Sequence, residues 1–500
     1  MDEIEAFRKK LINQNINGDN LQSKYIIDKT NKSNKIPKAD ILAVELAAEY
    51  RQLWIYCQAY KSWVIYEPEL PGIWKLVSKN YIEHKIHKIL IARGISGYGS
   101  NSYIENIRRR MKKELTLHSW IEFDTTDLLP FKNGVLDLVT GKFHNHSPDF
   151  WLTWQLPRDY NLNDTDWSHI SKWLDQATRG RIQDKKLLLC FTAAVVRRRF
   201  DLRKFLHLIG DGIGKSTFNN LLITLLGENN VANLDIEYLN DHHETVRAFS
   251  KRLIIMGDQD KVEKRLSNFK SLIEGDPLSG RRIFESSFEF IFDGLVVITS
   301  QTQIFPSNLR NWLSLRRLMV SFDYQCPTYK QRNLIREFMP ELSAFTNYLL
   351  SIPIKDIENT FKGLGNLSSL SKIAWDSLIR SDSLAAWLNT DLIYNLDCLT
   401  PIGSNSHEWI DREEYNPSSS SLYGSYSLYC RETNLRAKSI QNFSSELIEL
   451  CRSILGWDIK KARVKIAGKS VRVIKGLKLR NPQDNDPTIE NIFELHNQRH

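Results

Sequence analysis

The chain has 500 residues, with 68 Lys and Arg against 59 Asp and Glu, a formal net charge of +9. At ~100 to 200 residues per domain there is room for three or four cores, and 42% hydrophobic with 25% charged residues excludes wholesale disorder and collagen-like or mucin-like repeats. The longest apolar run, Leu187 to Val196, is about half of the ~20 residues a bilayer span needs, so no membrane association is expected.

Met1-Asp2-Glu3-Ile4-Glu5 lacks the basic and then apolar order of a signal peptide, which predicts a cytoplasmic protein. Residues 1–40 are rich in Asn, Lys and Asp with little periodicity and read as a mobile N-terminal segment. Residues 41–203 read as an α+β domain. Its helical spacing at Leu42, Leu46, Tyr50 and Leu53 gives way to two strands, Trp63–Tyr66 and Gly72–Leu76, around the turn Glu69-Leu70-Pro71. A second hairpin is expected from Phe131 to Phe143, where Asn133-Gly134 supplies positive φ at its entry and Thr140-Gly141 turns the chain. Residues 166–200 look helical and end in Arg197-Arg198-Arg199. The six dispersed cysteines form no C-x-x-C pair, so core thiols are expected rather than a zinc ribbon.

From residue 204 the pattern changes. A short apolar strand, Phe205 to Ile209, is followed by Gly210-Asp211-Gly212-Ile213-Gly214-Lys215-Ser216-Thr217 and an amphipathic helix to Leu226. Small residues let backbone N–H groups approach a phosphate, and the helix N-terminus adds its dipole. All eight loop residues are therefore candidate ATP contacts. Lys215 would reach the β/γ-phosphates and Ser216 would hold Mg²⁺ through its hydroxyl. Only three residues separate Gly210 from Gly214, where the usual P-loop has four.

A second apolar strand, Arg252 to Met256, leads into Gly257-Asp258-Gln259-Asp260. Asp258 is the expected metal-side carboxylate and Asp260 the group that polarises the attacking water, because Gln259 cannot act as a base. A third strand, Leu295 to Thr299, ends in Ser300-Gln301, whose amide is a candidate γ-phosphate sensor.

Helical spacing returns near Pro340, and residues 356–417 read as a helical region and linker. In the last part of the chain, Ser421 to Arg480 holds thirteen Lys and Arg against four acids, an excess equal to the whole net charge. Polyanion binding follows from counterion release. Two helices and a basic strand pair about the turn Ala467-Gly468-Lys469 predict a winged helix over 418–482, with a tail at 483–500. Lys438, Arg463, Lys465, Lys469 and Arg472 are its expected duplex contacts.

The order of elements resembles superfamily 3 helicases of the phage and plasmid primase-helicase family, which are similar to the poxvirus primase-helicase. The resemblance is carried by Asn133-Gly134-Val135-Leu136-Asp137-Leu138, Thr140-Gly141, Leu156-Pro157 and Asp159-Tyr160, then by Lys270 to Arg281 with Gly275-Asp276-Pro277, by Arg316-Arg317-Leu318 and Val320-Ser321-Phe322, and by Glu341 to Tyr348. It implies an AAA+ motor at 204–355 with a mostly parallel central sheet, ATP and Mg²⁺ as cofactors, and a homo-oligomeric ring, commonly a hexamer. It further implies Lys270, Arg281 and Arg282 near single-stranded DNA in the channel, Arg316 or Arg317 as an arginine finger, and a separate primase or polymerase partner. Residues 1–130 show no acidic triad of nucleotide polymerisation, so a helicase without a primase is expected. The shortened loop, Gln259 and Gln301 also admit a DNA-binding ring that holds ATP without unwinding.

Overall fold

The structure, a computed structural model, describes residues 36–67, 72–118, 120, 127–212, 214–260, 266–282, 286–302, 304–305, 310–322, 324, 333–363, 375, 378–379, 382–403, 421–453, 455, 457–466, 469–481, 483–484 and 489. The expected N-terminal segment up to residue 35, the turn Glu69-Leu70-Pro71, Ile213, Ser418-Ser419-Ser420 and Ala467-Gly468 lie outside them. The chain divides into two compact units: residues 1–51 with 78–115, and 52–77 with 116–500.

In the first unit α1 (Ala39–Tyr50), α2 (Lys79–Ala92) and α3 (Asn101–Glu114) bury Leu42 and Leu46, Ile82, Ile86 and Leu90, and Ile104, Ile107 and Met111. The spacing of three and four puts each set on one helix face. Arg93 pairs with Glu45 at 2.8 Å and Arg108 with Glu83 at 2.7 Å.

The second unit begins with a small sheet of β1 (Trp54–Cys57), β2 (Ser62–Tyr66), β3 (Trp74–Val77) and β4 (Thr116–Leu117), in the order β3-β2-β1-β4. Then β5 (Leu128–Phe131), β6 (Gly134–Asp137) and β7 (Phe143–His144) form an antiparallel meander. Phe131 pairs with Gly134, so the tight turn is Lys132-Asn133. Only Gly134 of the expected Asn-Gly pair has positive φ; its Cβ would fall 2.4 Å from the His144 carbonyl oxygen, so close strand approach selects this glycine. The helical stretch divides into α4 (Ser168–Ala177) and α5 (Ile182–Val196), because Arg179 and Gly180 take positive φ.

The core of this unit is a five-stranded parallel sheet. In chain order its elements are β8 (Phe205–Ile209), α6 (Lys215–Leu226), β9 (Val231–Asn233), α7 (His242–Thr245), β10 (Leu253–Met256) and α8 (Ser267–Glu274). The antiparallel pair β11 (Leu278–Gly280) and β12 (Phe288–Phe290) follows, then β13 (Leu295–Ser300), α9 (Arg310–Arg316) and β14 (Arg317–Ser321). The strand order is β14-β8-β13-β10-β9, with every pairing parallel. Every residue of β8, β10 and β13 is buried, as expected of strands covered on both faces. The chain leaves β8 for the far edge, returns to its side as β13 and crosses to its other side as β14, so the loop after β8 lies where the order reverses. Helices α10 (Leu334–Phe338), α11 (Leu342–Ser351) and α12 (Ile354–Gly363) complete the layer with α5.

A separate core gathers α13 (Ser383–Asp391), β15 (Leu392–Pro401), α14 (Leu422–Glu432), α15 (Ile440–Ser453), β16 (Lys460–Ile466) and β17 (Lys469–Leu479). The antiparallel sheet runs β15-β17-β16. This core reaches back to Trp375 and Trp387, ahead of residue 418, because β15 supplies a strand of the same sheet.

Candidate functional site

The loop 210–217 is shaped by its packing on the end of β14. Gly212 N–H donates to the Phe322 carbonyl at 2.8 Å, and a Cβ on Gly210 or Gly212 would fall 2.5 or 2.4 Å from that oxygen. Glycine at these positions is thus required by the fold itself. Lys215, 8% exposed, turns its ammonium onto the loop, donating to the Gly210 carbonyl and to the Gly212 carbonyl at 3.3 Å. Burial pulls its pKa below the ordinary lysine value, while Asp258 and Asp211 act in the opposite direction. Three sequence candidates, Lys215, Asp211 and Asp258, therefore share one electrostatic site. Ser216 is exposed on the first turn of α6 and Thr217 is half-buried.

The strand ends fix the acidic side. Asp258 takes φ +46, outside the range most side chains adopt, and its N–H donates to Thr299 Oγ1 at 2.8 Å. Gln259 is buried: its N–H donates to the Thr299 carbonyl, its Nε2 to the Gly257 carbonyl, and its Oε1 accepts from Ile236 N–H, each at 2.8 Å. Gln259 is a structural tie, and it leaves Asp258 and Asp260 exposed on either side. Gln301 is exposed just after Ser300, whose carbonyl accepts from Gly210 N–H at 3.2 Å.

Arg316 and Arg317 stand elsewhere. Arg317 pairs in register with Phe205, the first residue of β8, whereas the loop follows Ile209; four residues of strand put it ~13 Å from its own phosphate loop. Burial pushes its guanidinium down to about 10. Arg316 Nε lies 3.7 Å from Glu274 Oε1, and Glu274 accepts from Trp312 Nε1 at 2.5 Å. Lys270 stacks its ammonium 5.7 Å from the same Trp312 ring, so α8 and α9 carry one connected cluster. Arg282 stacks over Phe288 at 4.8 Å and Phe249 at 5.5 Å and donates to the Tyr60 carbonyl at 3.3 Å. Beside it Lys61 donates to Ser286 Oγ at 2.8 Å and to the Ser287 carbonyl at 2.9 Å. Arg281 is exposed at the end of β11.

In the C-terminal core, Lys438 is committed to Glu446 and, at 3.4 Å, to Asp382. Arg463 faces Arg472 across the β16–β17 pair, and Lys465 is next to them on the same face. These three are exposed, and none has a hydrogen-bond or ion-pair partner among the described residues. Lys469 opens β17; its side chain lies outside the described residues.

Residues 43–179 match the family model described as D5 N terminal like, and residues 208–316 match one described as a family of unknown function, DUF5906. The first match relates this part of the chain to the N-terminal domain of phage primase-helicases. The uncharacterized mitochondrial protein ymf21 of Marchantia polymorpha is 27% identical over 127 residues, 23% of this chain and 69% of that protein. Among solved structures, the apo C-terminal region of NrS-1 aligns over 88% of this chain and 100% of its own at 12% identity and a TM-score of 0.45. Its A form aligns over 85% and 95% at 12% identity and a TM-score of 0.44.

Several positioning residues escape a linear reading. Thr299 and Ser300 tie the loops after β8 and β10 to β13. His207 Nε2 lies 2.8 Å from Ser300 Oγ, and burial, with Arg317 adding to it, holds the imidazole well below its ordinary pKa. A lone polar residue in an apolar strand is the signal available for it. Arg158, inside the Leu156–Tyr160 segment, donates to the Thr224 carbonyl at 3.1 Å and to the Leu225 carbonyl, placing a cation at the C-terminus of α6. Asp293 binds Arg198 and Arg252 beneath the sheet. Among the described residues no helix is long and apolar enough to cross a membrane, and no group of three or more His, Cys, Asp or Glu could hold a metal ion.

Proposed function

We propose that the chain is the motor subunit of an ATP-dependent DNA helicase that replicates a plasmid, prophage or other mobile element as a ring-shaped oligomer. The observation that carries this reading is the glycine loop with Lys215, which opens a helix at the order reversal of a parallel sheet and is tied through Ser300 and Thr299 of β13 to the strand end that carries Asp258. The donor set suits ATP with Mg²⁺: an ammonium and helix-terminal N–H groups for phosphate, and the Ser216 hydroxyl and Asp258 carboxylate as hard oxygen ligands. The metal would neutralise charge on the phosphates. Asp260 is exposed and free to polarise water, a task the neutral Gln259 cannot perform. Arg316, partly exposed and distant from its own loop, is suited to a neighbouring subunit's site, whereas Arg317, with its guanidinium buried at the start of β14, holds the sheet. The strand order supports an AAA+ motor, and the match over 43–179 supports a place in DNA replication.

The C-terminal order α13-β15-α14-α15-β16-β17, with β17 central in the sheet, supports a winged helix that grips duplex DNA. Placing Arg463 opposite Arg472 costs the sheet energy that a polyanion would recover. A second reading, a ring that binds ATP and DNA without unwinding, is favoured by the commitment of Gln259 to the fold and by Gln301 at the sensor position. DNA-stimulated ATPase of the wild type against Lys215→Ala tests the choice. Turnover that rises with DNA and vanishes in the variant supports the motor; tight ATP binding without turnover supports the second reading.

A further inference from the structure

We propose that the outer face of α15 reads adenine-containing base pairs through Gln441 and Asn442, an inference that rests on the reading of this module as a duplex binder. Phe443, Leu447, Leu450 and Cys451 turn one side of α15 into the core, which leaves Gln441, Asn442 and Ser445 exposed on the first two turns. Neither amide has a partner among the described residues, whereas the Ser445 hydroxyl donates back to the Gln441 carbonyl at 3.3 Å. Two solvent-exposed amides on the first turn, with the small Ser445 hydroxyl one turn on, form a surface on which a flat polar edge can rest.

The hairpin fixes what lies beside that surface. Lys461 Nζ donates to Ser444 Oγ at 3.0 Å, so β16 is pinned to α15 one residue from Ser445. Lys461, Arg463 and Lys465 alternate onto one face of β16, and Arg472 joins them from β17. The cationic hairpin thus meets α15 at Ser444, one turn from Gln441, and borders the amide face on that side. Of the nearby acids, Glu446 pairs with Lys438, Asp458 pairs with Lys460, and Glu449 on α15 is engaged in a contact of its own.

The chemistry of the amides selects the base. A carboxamide offers one donor and one acceptor side by side, which matches N6 and N7 of adenine in the major groove, while guanine offers two acceptors and calls for Arg or Lys. From Ile440 to Glu446 the helix has neither Arg nor Lys. The face therefore prefers A·T, and the cations of the hairpin hold the phosphates without choosing sequence.

Selection from a randomised duplex library with the full chain tests this. The wild type should enrich adenine at one or two fixed positions, with a discrimination of about 5- to 150-fold per position. Gln441→Ala with Asn442→Ala should lose the enrichment and bind the selected duplex no better than a scrambled one, with an unchanged slope of log affinity against log salt. Wild-type binding to duplex without any adenine preference, or a preference that survives both substitutions, would overturn the inference while leaving the duplex-binding reading intact. Failure of the wild type to bind any duplex would overturn both.

Discussion

Around the parallel sheet each buried or half-buried cation has a local partner: Lys215 its own loop carbonyls, Lys270 the Trp312 ring, Arg282 two phenylalanine rings, and Arg198 with Arg252 the carboxylate of Asp293. On the C-terminal hairpin, Arg463 and Arg472 face each other in solvent with none among the described residues. Desolvation explains the first pattern, since a cation leaving water must find a compensating group or shift its pKa. Water screens the second, so the sheet tolerates a like-charged pair at a cost of roughly a few tenths of a kcal/mol. The interior cations therefore set geometry, and the hairpin cations remain available to an anion outside the chain.

The sharpest way to break this comparison is Lys215→Ala. Because its ammonium is both a fold contact and the proposed phosphate ligand, turnover should fall by about 10³ or more, while the thermal midpoint moves only slightly, since two neutral carbonyls are released to water at the loop. Unchanged turnover would separate the loop from ATP chemistry. Asp293→Ala should next cost about 3 to 5 kcal/mol of stability, because it strands two guanidiniums in the interior. An unaltered melting profile would show that the pairs contribute nothing net.

On the hairpin the expectation reverses. Arg463→Ala with Arg472→Ala should leave the melting profile unchanged or slightly raised, and should flatten the salt dependence of duplex binding by about 1.8 in slope, roughly 0.9 for each phosphate no longer neutralised. Equal salt slopes for variant and wild type would exclude these arginines as phosphate ligands. Point variants are preferable to deletion of 418–500, which would strip α14, α15, β16 and β17 from a core shared with Trp387 and Ile402 and so confound binding with unfolding.

Much of this architecture is legible in the chain before folding. The strands β8, β10 and β13 stand out as apolar runs closed by Gly, Asp or Ser, and the C-terminal hairpin as alternation of cations with apolar residues. Several strands are not legible, β9, β14 and β15 among them. At three residues β9 is too short to show a period, β14 begins with an arginine that reads as a finger, and β15 loses its alternation at a register shift between Asn395 and Leu399. The site is legible as a list of groups and not as an arrangement. The bonds that Thr299 Oγ1 and the Ser300 carbonyl accept from N–H groups 41 and 90 positions away leave no local pattern, and neither does the stacking that half-buries Arg282.

Protonation offers a gentler probe of the interior. His207 has a folded pKa well below its unfolded value of ~6.5, so between the two the unfolded chain binds more protons and stability rises with pH. The contribution is complete above ~6.5 and is lost at about 1.4 kcal/mol per pH unit below it. The thermal midpoint of the wild type should therefore fall more steeply from pH 6.5 to 5.5 than that of His207→Gln, which keeps a hydrogen-bonding group toward Ser300 and does not titrate. Parallel profiles would mean that the imidazole reaches water.

The smallest expected effect bears most directly on the comparison, because the family resemblance puts Arg282 on DNA and the structure stacks it inside the chain. Its guanidinium lies 4.8 Å from the Phe288 ring and 5.5 Å from the Phe249 ring, and Tyr60, whose carbonyl it reaches, packs edge-on against Phe249 at 4.7 Å. A half-buried cation–π contact with one hydrogen bond is worth about 1 kcal/mol. Arg282→Ala should thus lower stability by about that amount, and Arg282→Lys should restore only part of it, because an ammonium lacks the planar stacking surface. The salt slope of DNA binding should stay at the wild-type value in both. A slope that falls by about 1 with stability unchanged would put Arg282 on phosphate, and the contrast between committed interior cations and free hairpin cations would then fail at the position where the structure states it most plainly.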